Sequence, residues 1–335
     1  MSYLAFARRG YNKRNMSDTK AQSLVADEMV KVNEFILSQL HSDIVLINQI
    51  GHHIINGGGK RLRPLLVLIA AKAAGYEGVK HIDIAAIIEF IHTATLLHDD
   101  VIDHSDLRRD QETANAVWGN AVSVLVGDFL YSRAFEMMVA VQQMRVMDIL
   151  SHATNRIAEG EVLQLMNCNE PDITEEQYVE VIVRKTATLF EAGTRLAAVI
   201  TDADTRIEQA LADYGMELGI AFQIIDDALD YSGKNIGKNI GDDLDEGKPT
   251  LPLIRAMLTA ADDQASIIRS AIKNGGREHI EEVTRAIESS DAIAYTMQVA
   301  VEHSQNAIKA LEALPPSPYR DALAELAEYS VRRAS

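Results

Sequence analysis

The sequence predicts an all-α fold, and three observations carry that expectation. Apolar residues recur at threes and fours over most of the chain, the spacing that lines one face of a helix, and no strands of consequence are read. The breaks between these runs carry the marks of helix ends: glycine just after a run, and proline, serine, threonine or aspartate just before one. The chain has 335 residues, 47% of them hydrophobic, so a large core can be built, and one large helical bundle suits this length as well as two average domains. Residues 1–20 are expected to be a disordered tail, with Arg8, Arg9, Lys13 and Arg14 but no apolar stretch of secretory-signal length. Residues 21–335 are expected to form a single helical domain.

Taken in order, the first periodic run is Val25, Met29, Val32, Phe35, Ile36 and Leu40, which predicts a helix from Ala21 to His41. Ser42 and Asp43 open a second helix, which ends at Asn56 and the glycines Gly57, Gly58 and Gly59. Lys60, Arg61, Leu62, Arg63 and Pro64 follow. Pro64 near a first helical position leaves backbone N–H groups facing Lys60 and Arg63, which makes an anion site; the bland alternative is a glycine hinge with ordinary basic residues. It is not a Walker A loop, because Arg61 follows Lys60 where Ser or Thr is required. Further helices are predicted over Leu65–Ala74, Asp83–Asp103, Asn120–Met144 and Val146–Met166. Thr174 and Gln177 form a capping-box pattern opening the helix that carries Lys185 and Thr186. An apolar pattern runs from Tyr214 to Ile225, a glycine-broken loop supplies Lys234, Lys238 and Lys248, and helices resume from Leu251 to Arg333, one starting at Ser317-Pro318.

Composition narrows function before any motif does. A net charge of -17 argues against a general nucleic-acid surface, which needs clustered Lys and Arg. No apolar run approaches the roughly 20 residues of a membrane-spanning helix. Cys168 is the single cysteine, so no intrachain disulfide forms and the cytoplasm is the expected compartment.

The chemistry concentrates in two acidic knots. In the stretch from Ile87 to Asp110, an apolar helix runs into Asp99, Asp100 and Asp103. Asp99 and Asp103 are four apart and share one helix face, with His92 two turns earlier and Asp100 rotated aside. Like charges so spaced repel, which makes sense if a divalent cation sits between the carboxylates and a ligand. Arg108 and Arg109 follow, and guanidiniums beside metal-binding acids point to a phosphate or diphosphate ester. The pattern returns more than a hundred residues later, where Gln223, Asp226, Asp227 and Asp230 fall at i, i+3, i+4 and i+7. One DDxxD is weak; two, each ending an apolar helix, are strong. Three other classes compete. His98-Asp99 with His52 and His53 suggests a metal-dependent phosphohydrolase, Glu89 and His92 supply one of the two ExxH motifs of a di-iron bundle, and a scaffold without a site leaves both knots unexplained.

The segments GGGKRLRP, LLHDDVIDHSDLRR, GEVLQLM, KTATLF, FQIIDDALDY and GKNIGDDLDEGKPTLPL, in this order, resemble the trans-isoprenyl diphosphate synthases, and the likeness covers the chain after Met16. The resemblance implies a helical cleft where isopentenyl diphosphate meets an allylic diphosphate, farnesyl diphosphate being the expected primer, in a homodimer. It implies Mg²⁺ on Asp99, Asp103 and Asp226, supported by Asp100, Asp227 and Asp230. Arg108, Lys185 and Lys238 match positions that bind the allylic diphosphate, with Lys248 a further substrate-binding lysine. Thr186 and Gln223 match groups whose oxygens face the nascent carbocation, while Lys60, Arg63, His92 and Arg109 match the isopentenyl diphosphate site. Short-chain members carry bulky residues just before the first aspartates. Ala94 and Thr95 are small here, so the resemblance implies a long product, octaprenyl in length and destined for a quinone side chain. The tunnel floor is expected near Met138, with Met137 and Phe135 beside it.

Overall fold

The computed structural model describes residues 20–56, 61–108, 111–231, 241–275 and 278–332, and helices dominate it. Helices α1 (Lys20–Leu24) and α2 (Ala26–Gln39) replace the single helix expected from Ala21 to His41, because the backbone of Val25 leaves the helical region at φ -132°. Helix α3 (Val45–Asn56) leads to α4 (Leu62–Ala73), which begins three residues before its predicted start. Pro64 is thus the third residue of α4, still in the first turn, where a missing N–H breaks no intrahelical bond.

Helix α5 (Lys80–Ile102) explains the architecture. Every residue from Ile84 to Ile91 is buried, so the helix is covered on all sides in its middle, as a helix apolar all round should be. Burying each of its isoleucines contributes about 1.5–3 kcal/mol. A two-residue antiparallel pair, β1 (Leu107–Arg108) with β2 (Gln111–Glu112), turns the chain after α5. Then come α6 (Ala114–Trp118), α7 (Asn120–Ala140) and α8 (Met144–Asn167), where Gln142 at φ 55° ends the helix predicted to run on to Met144.

Helix α9 (Glu175–Ile182) opens with the predicted capping box of Thr174 and Gln177. It does not continue as a plain α-helix. Val183–Ala187 forms a π turn carrying Lys185 and Thr186, and α10 (Thr188–Ile200) follows. Helix α11 (Thr205–Asp230) is longer than the apolar pattern from Tyr214 to Ile225 suggested, since the Asp204 side chain caps it at the Ile207 N–H, 2.9 Å away. The chain finishes through α12 (Asp242–Asp245), α13 (Leu251–Thr259), α14 (Asp262–Asn274), α15 (Ile280–Ser289), α16 (Ala292–Ala310) and α17 (Pro318–Arg332). Helix α5 packs chiefly on α7, and α11 on α10 and α16. The main core spans α2, α4, α5, α7, α8 and α10, while the later half of α11 anchors a second cluster with α9, α13 and α16. Both central helices therefore end, at their C-termini, in aspartates. The expected tail lies outside the described residues.

Candidate active site

A carboxylate at a helix C-terminus meets the negative end of the helix dipole, so two such ends demand nearby cations. Lysines supply them. Asp99 lies 3.6 Å from Lys185 Nζ, and Asp103 lies 3.0 Å from Lys248 Nζ. Between them Asp100 turns into the protein, where Arg108 donates to its Oδ1 through Nε at 2.8 Å and Nη2 at 2.7 Å. Burial pushes the Asp100 carboxyl upward, and Arg108 only partly offsets it. The first knot thus splits into two lysine-paired acids and one that fixes an arginine.

The second knot divides differently. Asp226 is half-buried, while Asp227 and Asp230 are buried. Asp227 accepts from the Tyr178 hydroxyl at 2.5 Å and from Gln223 Nε2 at 2.8 Å, and its neighbour Asp243 adds to the effect of burial in pushing the carboxyl up to about 7. Asp230 Oδ2 accepts from the Asp243 N–H at 3.3 Å, tying α11 to α12. Gln223 Oε1 in turn accepts from the Thr186 hydroxyl at 3.1 Å.

The π turn sets Lys185 and Thr186 at the centre of this arrangement, and two glycines let neighbouring helices grip it. A Cβ at Gly160 on α8 would lie 2.7 Å from the Lys185 nitrogen, and one at Gly219 on α11 would lie 2.6 Å from Ala187 Cα. Lys185 Nζ also reaches Glu161 at 2.6 Å and Gln164 at 2.7 Å. Burial and the charge of Asp99 push the Glu161 carboxyl up to about 7, against the pull of Lys185. Burial lowers the pKa of Lys185, but Asp99 and Glu161 outweigh it and hold the ammonium charged. Lys248, likewise opposed by burial, is raised far above its usual value by Asp103 and Glu246. Gln164, Tyr178, Lys185, Thr186, Gln223, Asp227, Asp243 and Lys248 help line one cleft.

Arg63 and His92, expected to share one pocket, meet at 3.0 Å, and the Arg63 guanidinium stacks on Phe190 at 4.5 Å from the ring centre. Lys60, Arg109, Lys234 and Lys238 lie outside the described residues. Ala94 is fully buried, Thr95 is half-buried with its hydroxyl donating to the His92 carbonyl at 2.8 Å, and Met138 and Met137 are buried on α7. Phe135 is 37% exposed.

The rival metal readings lose their donors. His98 lies 3.4 Å from Asp128 and 3.2 Å from the Val124 carbonyl, His53 meets the Glu112 carbonyl at 2.9 Å, and Glu89 pairs with Arg61. Among the described residues, no three His, Cys, Asp or Glu side chains converge into a metal cage. Mg²⁺ takes oxygen donors and is commonly held by one or two carboxylates plus substrate phosphates. Asp99, Asp103 and Asp226 offer only oxygen. Sequence reasoning missed Glu161, Gln164 and Tyr178; the first two lay within the GEVLQLM segment, whereas nothing local marked Tyr178.

Comparison with known proteins places this geometry in a family. The polyprenyl synthetase model matches residues 44–290. Octaprenyl diphosphate synthase of Escherichia coli (strain K12) is 54% identical over 321 residues, covering 95% of this chain and 99% of that one. The geranyl-diphosphate-specific all-trans-nonaprenyl-diphosphate synthase of Rhodobacter capsulatus is 45% identical, covering 92% of this chain and 96% of that one. The crystal structure of a polyprenyl synthase from Caulobacter crescentus CB15, complexed with calcium and isoprenyl diphosphate, matches with a TM-score of 0.92 at 41% identity, covering 97% of this chain and 100% of that one. The chain therefore belongs to the polyprenyl synthetase family, and it is a prenyltransferase that makes long-chain all-trans polyprenyl diphosphates by isopentenyl diphosphate condensation.

Proposed function

We propose that the product is octaprenyl diphosphate, built by Mg²⁺-dependent addition of isopentenyl diphosphate to an allylic primer such as farnesyl diphosphate, and used as a quinone side chain. The observation that carries the site assignment is the pairing of Asp99 with Lys185 and of Asp103 with Lys248, both lysines lining a cleft shared with Gln223, Asp227 and Asp243. Product length rests on the 54% identity to an octaprenyl enzyme, against 45% to a nonaprenyl one.

In this reading Asp99, Asp103 and Asp226 hold Mg²⁺, which when bound neutralises charge building on the leaving diphosphate. Lys185, Arg108, Lys238 and Lys248 bind that diphosphate, with Asp100 fixing Arg108. Arg63 and His92, joined by Lys60 and Arg109, bind isopentenyl diphosphate. The allylic C–O bond breaks, Thr186 and Gln223 direct oxygen dipoles at the cation, and the isopentenyl double bond attacks it. The proton lost from the adduct passes to the departing diphosphate. Water must be excluded to protect the cation.

A homodimer is supported by exposed apolar residues on α7 and α8, among them Leu125, Val139, Met144, Val162, Leu165 and Met166. Cytoplasmic placement accords with the single cysteine and with the lack, among the described residues, of any helix long and apolar enough to cross a membrane.

The test incubates purified protein with farnesyl diphosphate, labelled isopentenyl diphosphate and Mg²⁺, then sizes the dephosphorylated products. Octaprenol should dominate; a main product one unit longer would overturn the length assignment. Ala94→Phe should shorten the product while the first condensation persists. Full-length product from a folded Ala94→Phe enzyme would move the tunnel away from this face of α5.

A further inference from the structure

Tyr178 lies in the wall of the cleft on α9 with 6% of its surface exposed, and its phenol is committed to Asp227 Oδ2 at 2.5 Å. The backbone amide of Leu251 faces the same phenol oxygen, which leaves the hydroxyl proton to Asp227. Asp227 Oδ1 accepts from Gln223 Nε2 at 2.8 Å, and Gln223 Oε1 accepts from Thr186 at 3.1 Å. These four side chains form one hydrogen-bonded line along the wall of the cleft.

Donor and acceptor rules fix the polarity of that line. In its ionised form Asp227 only accepts, which turns the Gln223 amide NH₂ towards Asp227 and its carbonyl towards Thr186. The Thr186 proton then points at Gln223, which leaves the hydroxyl lone pairs for the cleft. If the amide flipped, the partially positive NH₂ would take the place of the oxygen, and the sign of the local dipole would reverse. Such a reversal matters most in the transition state, where positive charge is greatest and water is excluded.

We propose that Tyr178 is a positioning residue for the condensation, clamping Asp227 so that Gln223 presents its carbonyl oxygen, and Thr186 its lone pairs, to the allylic centre. The proposal rests on the role given above to Thr186 and Gln223 as dipoles facing the cation. Tyr178 acts through Asp227 and Gln223 and needs no contact with either diphosphate.

The test is Tyr178→Phe, with Tyr178→Leu as a second variant lacking the hydroxyl. For a folded variant, kcat should fall about tenfold, less than the loss of a directly contacting oxyanion-type donor, with KM for both diphosphates within about twofold of wild type. Affinity for an allylic ammonium diphosphate analogue, which carries the positive charge, should fall by a similar factor, whereas affinity for the thiolodiphosphate analogue, which carries no positive charge at the allylic centre, should not change. In a Gln223→Leu background, Tyr178→Phe should cost nothing further, because no amide remains to be oriented. The proposal is overturned by equal losses for both analogues, by a rise in KM alone, by an undiminished effect in the Gln223→Leu background, or by failure of both Tyr178 variants to fold. Wild-type kcat in Gln223→Leu itself would remove the dipole role, and this proposal with it; a slow Gln223→Leu enzyme beside a fast Tyr178→Phe enzyme would remove the proposal alone.

Discussion

The ends of α5 and α11 carry the same five-residue pattern, Asp99-Asp100-Val-Ile-Asp103 and Asp226-Asp227-Ala-Leu-Asp230, yet they divide the work differently. At the first end, the first and fifth positions face lysines across the cleft and the second is locked to Arg108. At the second end, the first position is half-buried, while the second, in the cleft wall, is locked to Tyr178 and Gln223 and the fifth to the start of α12. Identical spacing thus pairs the first and fifth carboxylates with lysines in one case and ties the second and fifth into buried hydrogen bonds in the other. What decides is the element that packs against each helix end. Asp103 follows the last residue of α5 and meets Lys248, whereas Asp230 is still inside α11 and is covered by the returning chain.

The largest effect that tests this division belongs to the cleft carboxylates. Asp99→Ala, Asp103→Ala and Asp226→Ala should each lower turnover at least about a hundredfold, equivalent to about 2.7 kcal/mol of lost transition-state stabilisation, with helical circular dichroism intact. Near-normal turnover in all three at low Mg²⁺ would end the metal assignment. Normal turnover in Asp226→Ala alone would leave the second motif without a metal-holding carboxylate and break the comparison at its centre.

A second, slightly smaller effect is read without turnover. Inorganic diphosphate with Mg²⁺ should raise the melting temperature of the wild-type protein, since a ligand at a hundred times its Kd stabilises by about 2.7 kcal/mol. Asp103→Ala and Asp226→Ala should lose most of that rise. A full rise in both would show that diphosphate is held by basic residues alone.

The two motifs and most helix ends were legible in the sequence because their causes are local. Carboxylate spacing on a helix, the Thr174–Gln177 capping box and the start at Pro318 each need only a few neighbouring residues. The division of labour was not legible. Asp227 takes its partner from 49 residues earlier, and Lys248 reaches Asp103 from another element altogether. The π turn under Lys185 was hidden for a similar reason: Val183–Ala187 reads as ordinary helix until Gly160 and Gly219 bring α8 and α11 against it.

The third test separates the second position from the first by stability. Asp227→Ala strands the Tyr178 hydroxyl and an amide donor in a buried place and should cost about 1–3 kcal/mol, whereas Asp226→Ala, at a half-buried position, should cost well under that. Thermal unfolding of the two proteins side by side decides it. Equal losses would mean that both residues serve the cleft and that their burial carries no separate meaning.

The smallest expected effect compares the fifth positions, and it is the most discriminating because the substitutions are chemically the same. Asp103→Asn removes the charge that faces Lys248 at 3.0 Å and, in the proposed mechanism, the charge that holds Mg²⁺, so turnover should fall about a hundredfold. Asp230→Asn keeps a side-chain oxygen that can still accept from the Asp243 N–H, a long bond of 3.3 Å in the present protein. Such a replacement should cost about 0.5–1.5 kcal/mol of stability at most, and turnover should change by less than about threefold. Both proteins can be assayed with the same primer at saturating Mg²⁺, with the melting temperature as control. If Asp230→Asn proves as slow as Asp103→Asn while remaining as stable as wild type, the fifth carboxylate of α11 turns to the cleft during turnover, and the two helix ends are functionally alike after all.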